Sequence, residues 1–209
     1  MKNNSSKGVW KYTVNLEDTI TIDGYTGEET KIVIPSEIED FPVTEIGFGA
    51  FHENHDIVSV VIPDTVEKIE CFAFNDCRNI TELVIPESVK KIDDSAFRNC
   101  YGLADENGFV IVRNILYNYL GNSETVNIPH GIKTISNYCF KENEKIKKVI
   151  LPDSIRKIGG NSFYKCQNLQ PIDVPNSECE IGRINFRIHN SHIECENYGC
   201  VFKIPRAEQ

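Results

Sequence analysis

Apolar residues in this chain recur every 23 residues, a much longer period than the two residues of a strand or the 3.6 residues of a helix. Short segments of the form apolar-x-apolar-Pro mark the period. Their prolines are Pro35, Pro63, Pro86, Pro129, Pro152 and Pro175. The longer intervals after Pro35 and Pro86, 28 and 43 residues, indicate insertions of 5 and 20 residues into an otherwise constant unit.

Fixed positions inside each unit carry the large apolar side chains. A phenylalanine follows the proline by eleven residues, and these are Phe74, Phe97, Phe140, Phe163 and Phe186. Three residues later comes a small polar side chain, at Cys77, Cys100, Asn143 and Cys166. A constant period of this length is typical of a solenoid, in which each turn buries its apolar face only against its neighbours.

The segments before the prolines predict strands. "SVVI", "ELVI" and "KVIL" are rich in β-branched residues and end at a residue that cannot donate to a ladder. The polar segment around each Phe predicts a short helical turn, with Cys or Asn satisfying loop backbone groups. The pattern therefore predicts an α/β repeat solenoid, right-handed, of about six to seven coils, with a parallel sheet on its inner face.

The insertion at residues 104–123 contains "FVIVRNILYNYL", which predicts a β-hairpin with a tight turn at Arg113 and Asn114. Its second strand has two alternating sets of side chains. We expect the set with Leu116 to pack on the coil below. Tyr117 and Tyr119 would then project as anchors for a partner.

The unit P-x-x-V-x-x-I-x-x-x-x-F-x-x-C-x-x-L-x-x-V-x-I resembles the BspA-type leucine-rich repeat family, from about Asp18 to Leu169. "TITIDGYTGEETKIVIPSEIEDFPVTEIGFGAF" looks like the N-terminal segment of that family, and "ADENGFVIVRNILYNYLG" like its recurring hairpin. The resemblance implies a leucine-rich-repeat superhelix that recognises a partner without catalysis. A protein partner is favoured, and a glycan or a surface to adhere to are variants that the family implies.

The repeat pattern also predicts the domain organisation. We expect one solenoid over residues 1–209, with an N-terminal cap at 1–34 and repeats at 35–175. Residues 176–209 predict a degenerate C-terminal capping repeat, because the Cys and Leu positions are lost there while Ile181 and Phe186 keep the register.

Charge and hydropathy exclude some classes of partner and compartment. The formal charge of −9 is uneven, since residues 1–132 carry −12 and residues 133–165 carry +5. An acidic chain of this kind is not expected to bind nucleic acid, and no apolar run reaches the ~20 residues of a membrane span. The N-terminus lacks a signal-peptide core, which predicts a cytoplasmic chain as it stands. The family resemblance instead suggests a fragment of a cell-surface or secreted protein.

The eight cysteines are expected to be free thiols, because a chain of 209 residues can bury an adequate core without disulfides. Cys77 and Cys100 would lie ~4.8 Å apart on adjacent coils. Their side chains should run parallel, which disfavours the dihedral angle of a disulfide.

The sequence contains no nucleophile elbow, phosphate-binding loop or H-E-x-x-H motif, so we expect neither an enzyme nor a cofactor. One candidate metal set is spaced H-x2-H-x2-C-x4-C, and its members are His189, His192, Cys195 and Cys200. That spacing departs from the usual zinc arrangements, so a capping coil with incidental His and buried Cys is the favoured interpretation and no metal is predicted. His52 and His55 are expected to be solvated, and Cys139 to be a packing residue.

The middle residue of each strand segment should point outward. These positions hold Val33, Val61, Val84, Asn127, Ile150 and Asp173. Four apolar residues in six indicate either β-propensity or a contact surface, and both interpretations stay open. The predicted partner-binding residues are Val61, Val84, Ile150, Tyr117 and Tyr119. A self-assembling structural module is the alternative function.

Overall fold

The computed structural model of the chain describes residues 3–175, 179–182, 186–189, 192–195 and 201–203. They form two compact units, Met1–Leu103 and Ala104–Gln209. Both consist of strands and turns, and within these residues the one helical segment is the 3-10 helix Tyr101–Leu103. The predicted repeat solenoid is confirmed, with parallel sheets and about seven turns altogether.

Each turn of the first unit contributes two short strands to two separate sheets. The strands are β1 (Asn3–Lys7), β2 (Trp10–Val14), β3 (Ile20–Tyr25), β4 (Lys31–Val33), β5 (Glu37–Ile38), β6 (Phe41–Ile46), β7 (Ser59–Val61), β8 (Lys68–Ile69), β9 (Glu82–Val84) and β10 (Lys91–Ile92). One sheet is the parallel set β4-β7-β9, formed by the strands that precede the prolines. The other has the order β1-β2-β3-β6-β8-β10, with β5 paired to β6.

The second unit repeats this plan and ends in a different sheet. Its strands are β11 (Phe109–Val112), β12 (Ile115–Tyr119), β13 (Thr125–Asn127), β14 (Thr134–Ile135), β15 (Lys148–Ile150), β16 (Lys157–Ile158), β17 (Ile172–Asp173), β18 (Glu180–Ile181), β19 (Phe186–His189), β20 (His192–Cys195) and β21 (Val201–Lys203). One sheet has the order β11-β12-β14-β16-β18, and β13 pairs with β15. At the C-terminal end the order is β17-β21-β20-β19.

The segments around each Phe are turns rather than the predicted helical turns. Along residues 73–77 the amides alternate between two kinds of acceptor. Ala73 N donates within its own coil to Glu70 O, whereas Phe74 N donates to Ala96 O of the next coil. The left-handed φ of Phe72 (59°) and Asp76 (64°) produces this alternation. A continuous α-helix would direct these amides along one coil, and the bonds between coils would be lost.

The predicted phenylalanines stack along the core of each unit. The rings of Phe51 and Phe74 are nearly parallel with centroids 4.8 Å apart, and those of Phe74 and Phe97 are 5.0 Å apart. In the second unit Phe140 and Phe163 lie 4.9 Å apart. Offset aromatic pairs of this kind add stability beyond their buried area. The repeat period therefore does position one aromatic ring per coil.

At the C-terminal end the ring of Phe202 lies 6.0 Å from that of Phe163. Phe202 is brought there because β21 pairs in parallel with β17. Phe186, which the sequence pattern predicts for the core, lies in β19, and its side chain is outside the described part of the chain. Ile181 keeps its predicted register, since it pairs with Ile158 of the preceding coil.

The small polar position after each Phe binds the backbone of the neighbouring loop, as predicted. The thiols of Cys77, Cys100 and Cys166 donate to the carbonyl oxygens of Phe51, Phe74 and Phe140 over 2.9–3.0 Å. In other coils an Asn takes this position, and Asn143 Oδ1 accepts from Lys145 N and Ile146 N. Each side chain thus satisfies backbone groups that would otherwise be buried without a partner.

Candidate functional site

Three outward-facing valines lie side by side on the β4-β7-β9 sheet. Val33 pairs in register with Val61, and Val61 with Val84. Val33 is 68% exposed and Val84 55% exposed, while Val61 is half-buried between them. The residues just before them in the first two strands, Ile32 and Val60, are buried. The alternation predicted from the sequence therefore gives this sheet an apolar outer row, which we call the valine row.

Acidic groups border the valine row. Glu82 lies two residues before Val84 on β9, and Asp64 and Glu87 directly follow the prolines at the ends of neighbouring coils; all three are exposed. Residues 1–103 contain 9 Lys and Arg against 19 Asp and Glu, a net formal charge of −10. The surface is therefore apolar along one line with mainly acidic groups beside it, and the exposed Lys31 holds the position on β4 that Glu82 holds on β9.

The corresponding row of the second unit is different. Ile150 is 43% exposed, but its partner in the register is the exposed Asn127. Asp173 holds the same position in the following coil and is also exposed. The sequence prediction placed Ile150 in the same surface as Val61 and Val84. In the second unit it stands between two polar neighbours, and the exposed Lys148 is two residues away on the same strand.

The prediction that Tyr117 and Tyr119 project from the hairpin is wrong. The hairpin itself is confirmed, because β11 and β12 pair antiparallel with Val112 opposite Ile115. Tyr117 is fully buried, however, and Tyr119 is only 7% exposed. The exposed apolar residue is instead Leu120, at the end of the strand.

The physical reason is that β12 lies inside a sheet rather than on a free hairpin. It pairs with β11 on one side and in parallel with β14 on the other, and all five of its residues are buried. Tyr119 stacks 5.4 Å from Phe140 and so extends the aromatic core of the second unit. At the hairpin turn the left-handed residue is Arg113, with φ 58°, although Asn114 is the residue that the sequence suggested for it.

The remaining chemical candidates do not form a metal site in the part of the chain that the structure describes. No group of three or more His, Cys, Asp or Glu side chains that could hold a metal occurs there. His52 is exposed, and its Nδ1 lies 3.2 Å from the carbonyl oxygen of Asn75. Cys139 is buried and packs with the core, as its position in the repeat predicts.

The candidate metal set at the C-terminus is not tested. His189 and His192 face each other across the pairing of β19 and β20, but their side chains and that of Cys195 lie outside the description. Cys200 lies outside the described residues altogether.

An ionic network formed by β6, β8 and the residue that follows β8 was not identified from the sequence. Lys68 Nζ binds the carboxylates of both Glu45 and Glu70. Burial raises the pKa of Glu45, and the hydrogen bond from Lys68 lowers that of Glu70. The sequence feature that could have identified it is the 23-residue spacing of Glu45 and Lys68, which puts them at the same strand position in adjacent coils. Opposite charges at such positions are close enough to form an ion pair.

Known structures similar to this chain are leucine-rich repeat proteins. A leucine rich cell surface protein from Faecalibacterium prausnitzii is 29% identical, with a TM-score of 0.55, over 86% of this chain and 50% of that chain. A leucine-rich repeat protein from Bacteroides ovatus is 25% identical, with a TM-score of 0.55, over 83% and 48%. This chain thus spans about half the length of these two relatives.

A T. pallidum leucine-rich repeat protein is 24% identical with a TM-score of 0.50, over 87% of this chain and 83% of that chain. This likeness concerns the fold alone. Curated protein sequences gave no significant match. Among the described residues, no helix has the length and apolarity needed to cross a bilayer.

The sequence profile of the BspA type leucine rich repeat region matches residues 25–107 and 110–198 in six copies, which is most of the chain. Together with the stacked coils, the aromatic core and the row of Cys and Asn side chains, this match agrees with the resemblance noted from the sequence. The chain belongs to the BspA-type leucine-rich repeat family.

Proposed function

We propose that the chain is a non-catalytic recognition module that binds a protein partner through the valine row of its first unit. The observation that carries this proposal is the register of β4, β7 and β9, which places Val33, Val61 and Val84 next to one another on an exposed sheet face. The family is typically one of non-enzymatic repeat proteins. Exposed apolar patches with a polar border tend to mark surfaces that bind other proteins.

The second unit argues against β-propensity as the sole cause of the valine row. Asn127 and Asp173 occupy the same outward strand position as the valines, in coils with the same architecture. Polar residues are therefore compatible with this position in the fold. Three valines in succession in the first unit then require a further reason, and contact with a partner supplies one.

The charge of the first unit defines the chemistry of the partner. Glu82, Asp64 and Glu87 border the valine row, and the unit carries a net formal charge of −10. We expect a partner surface with a central apolar ridge and lysine or arginine side chains at its edge. Charges at the edge of an interface mainly steer association and set its salt dependence.

The cellular location at which such a partner is bound is proposed by analogy with a relative. The Faecalibacterium prausnitzii relative is named a leucine rich cell surface protein. We propose an adhesion or scaffold role at a cell surface for this chain as well. A glycan component of the surface partner is compatible with this role.

The test needs a partner that has been purified. The chain is immobilised, a protein retained from the native host is purified, and its affinity is measured by calorimetry against the wild type and the variant Val33→Ser with Val84→Ser. We expect the Kd to rise at least about tenfold, because the two most exposed side chains of the valine row lose their apolar contact.

The matched control is Ile150→Ser, which removes an exposed apolar side chain from the same strand position in the second unit. It should leave the Kd unchanged. Equal affinities of all three proteins would reject the valine row as the binding surface. Sedimentation of the chain alone tests the alternative of self-assembly, since an oligomer that the valine variant abolishes would make the partner a second copy.

A further inference from the structure

The second unit contains a cavity of about 670 Å³ that exists because the repeat is interrupted. Ten of its fourteen lining residues lie in two stretches, 105–109 and 119–123, which both belong to the inserted segment 104–123. The others belong to β13 and the residues that follow it. A regular solenoid stacks its coils at about the spacing of paired strands and leaves no such space between them. The insertion therefore supplies most of the lining of this open cavity.

Hydrogen bonds hold the first stretch in place. Asp105 Oδ1 accepts from the amides of Asn107 and Phe109, each over 2.9 Å. The two stretches are joined by Leu120 N, which donates to Gly108 O over 2.7 Å. The chains approach so closely that a Cβ on Gly108, whose φ is +84°, would lie 2.6 Å from Gly121 N. The walls are thus fixed before any ligand arrives, which lowers the entropic cost of binding.

Aromatic rings form the apolar part of the wall. Phe109 and Tyr119 both line the cavity, and their ring centroids are 5.0 Å apart. The hydroxyl of Tyr119 accepts from Ser123 N over 3.4 Å, so this ring is held at its polar end as well. Both rings belong to the hydrophobic core of the second unit, which fixes their positions. The cavity therefore combines a rigid apolar edge with a polar lining.

Three side-chain amides contribute to the polar lining. Asn107, Asn122 and Asn127 all border the cavity, and within the described part of the chain their side-chain amides have no hydrogen-bond partner. An Asn amide offers both donors and an acceptor, as does a hydroxyl group. None of the described lining residues is Lys, Arg or His, and Asp105 and Glu106 add acceptors. The lining favours a neutral ligand with many hydroxyl groups over an anion.

We propose that this cavity is a binding site for a neutral saccharide. Its volume lies within the range of ligand sites, ~300–1,000 Å³. Asn107, Asn122 and Asn127 would bind hydroxyl groups, and Asp105 or Glu106 would accept from further hydroxyls. Phe109 and Tyr119, each only 7% exposed, would support the wall of the site, and the exposed Leu120 would offer the apolar contact to a sugar ring. The site shares no residue with the valine row and does not depend on the function proposed for that row.

The experiment measures saccharide binding directly. The probes are maltotriose, cellotriose, chitotriose and mannotriose, with sialyllactose as the anionic comparison, each titrated at millimolar concentrations by saturation-transfer NMR and calorimetry. We expect saturable binding of at least one neutral trisaccharide and weaker binding of sialyllactose. The variant Asn122→Ala with Asn127→Ala should raise the Kd about tenfold, because two hydrogen-bonding amides are removed.

Gln167→Ala is the matched control, since it removes an exposed amide of the same unit away from the cavity. It should leave the Kd unchanged, and all variants should keep the wild-type circular dichroism spectrum and urea midpoint. A second variant, Ser123→Arg, places a long side chain at the cavity wall and should raise the Kd further than the double Asn variant does. Absence of saturable binding for every neutral probe, or equal Kd values in wild type and both cavity variants, would overturn the proposal.

Discussion

The thiol of Cys77 donates a hydrogen bond to the carbonyl oxygen of Phe51 in the preceding coil, over 2.9 Å. The same oxygen also accepts from Asn54 N, so one carbonyl joins the thiol of one coil to the loop of another. Cys100 and Cys166 repeat this bond in their own coils. The conserved spacing of the cysteines within the chain thus has a structural cause that involves no disulfide.

The hydrogen bond from Cys77 to Phe51 is expected to stabilise the fold. Cys77→Ala should lower the free energy of unfolding by about 1–2 kcal/mol, because it removes a buried hydrogen bond and leaves a small cavity. Urea denaturation measures the effect. Cys71→Ala is the control, since Cys71 is only half-buried and does not occupy the repeat position of Cys77, Cys100 and Cys166. It should lower the free energy of unfolding clearly less. Equal losses in the two variants would contradict the structural role of the thiol.

Thiol counting tests the redox state of the whole chain. Six cysteines are free in the structure: Cys71, Cys77, Cys100, Cys139, Cys166 and Cys179. The state of Cys195 and Cys200 stays a prediction. In denaturant without reductant, we expect eight reactive thiols, and in the native protein the buried ones should react slowly. Four or fewer thiols in denaturant would show that the chain is disulfide-bonded.

The free energy of unfolding should fall at alkaline pH because of the buried thiols of Cys77 and Cys166. Burial raises the pKa of Cys77 to about 12 and that of Cys166 to about 11. The unfolded chain loses these protons above the ordinary value of 9.0, while the folded chain keeps them. Their contribution is therefore fully present below pH 9 and is lost as the pH rises toward 11–12.

The measurement is the free energy of unfolding in urea between pH 7 and pH 10.5. The wild type should be nearly constant up to about pH 8.5 and then decline, given the reference range of thiol pKa values. The variant Cys77→Ala with Cys166→Ala should decline less steeply. Parallel curves for the two proteins would show that other groups cause the pH dependence.

The stacked rings predict a large effect at the centre of the first unit. Phe74 is fully buried between Phe51 and Phe97, at 4.8 and 5.0 Å. Phe74→Ala should lower the free energy of unfolding by about 3–5 kcal/mol, as expected for a truncated buried aromatic residue. Phe48→Ala serves as the control, because Phe48 is 67% exposed. Its effect should stay below about 1 kcal/mol.

The constant period predicts that one whole coil can be removed. Deletion of residues 64–86 joins Pro63 to Glu87 and preserves the 23-residue register. The shortened chain should fold, with a urea m-value reduced along with the buried area. Deletion of residues 64–75 is the control, because it breaks the register and should prevent folding. Aggregated or unstructured protein from the 23-residue deletion would contradict interchangeable coils.

Much of the fold could be predicted from the sequence because each coil depends on its neighbours in the same way. One Pro, one Phe and one Cys or Asn per 23 residues determine where a strand ends, which ring enters the core and which side chain satisfies the loop. The outward direction of Val33, Val61 and Val84 followed from the two-residue alternation of a strand. These are local relationships, and a repeat states them several times over.

Other features of the fold depend on which segments pack against one another, and a local sequence pattern does not contain that information. Alternation separates the two faces of β12, but only the tertiary structure shows that both are buried, so Tyr117 and Tyr119 belong to the core. The two-residue strands at Lys68 and Lys91 are too short to be identified from the sequence, and they form because the neighbouring coil offers a ladder. The cavity between residues 105–109 and 119–123 likewise arises from the approach of segments ten or more residues apart. The sequence determined the repeating unit. Packing between distant segments decided which residues of the unit are buried, where short strands form and where a cavity remains, because these depend on contacts with other parts of the chain.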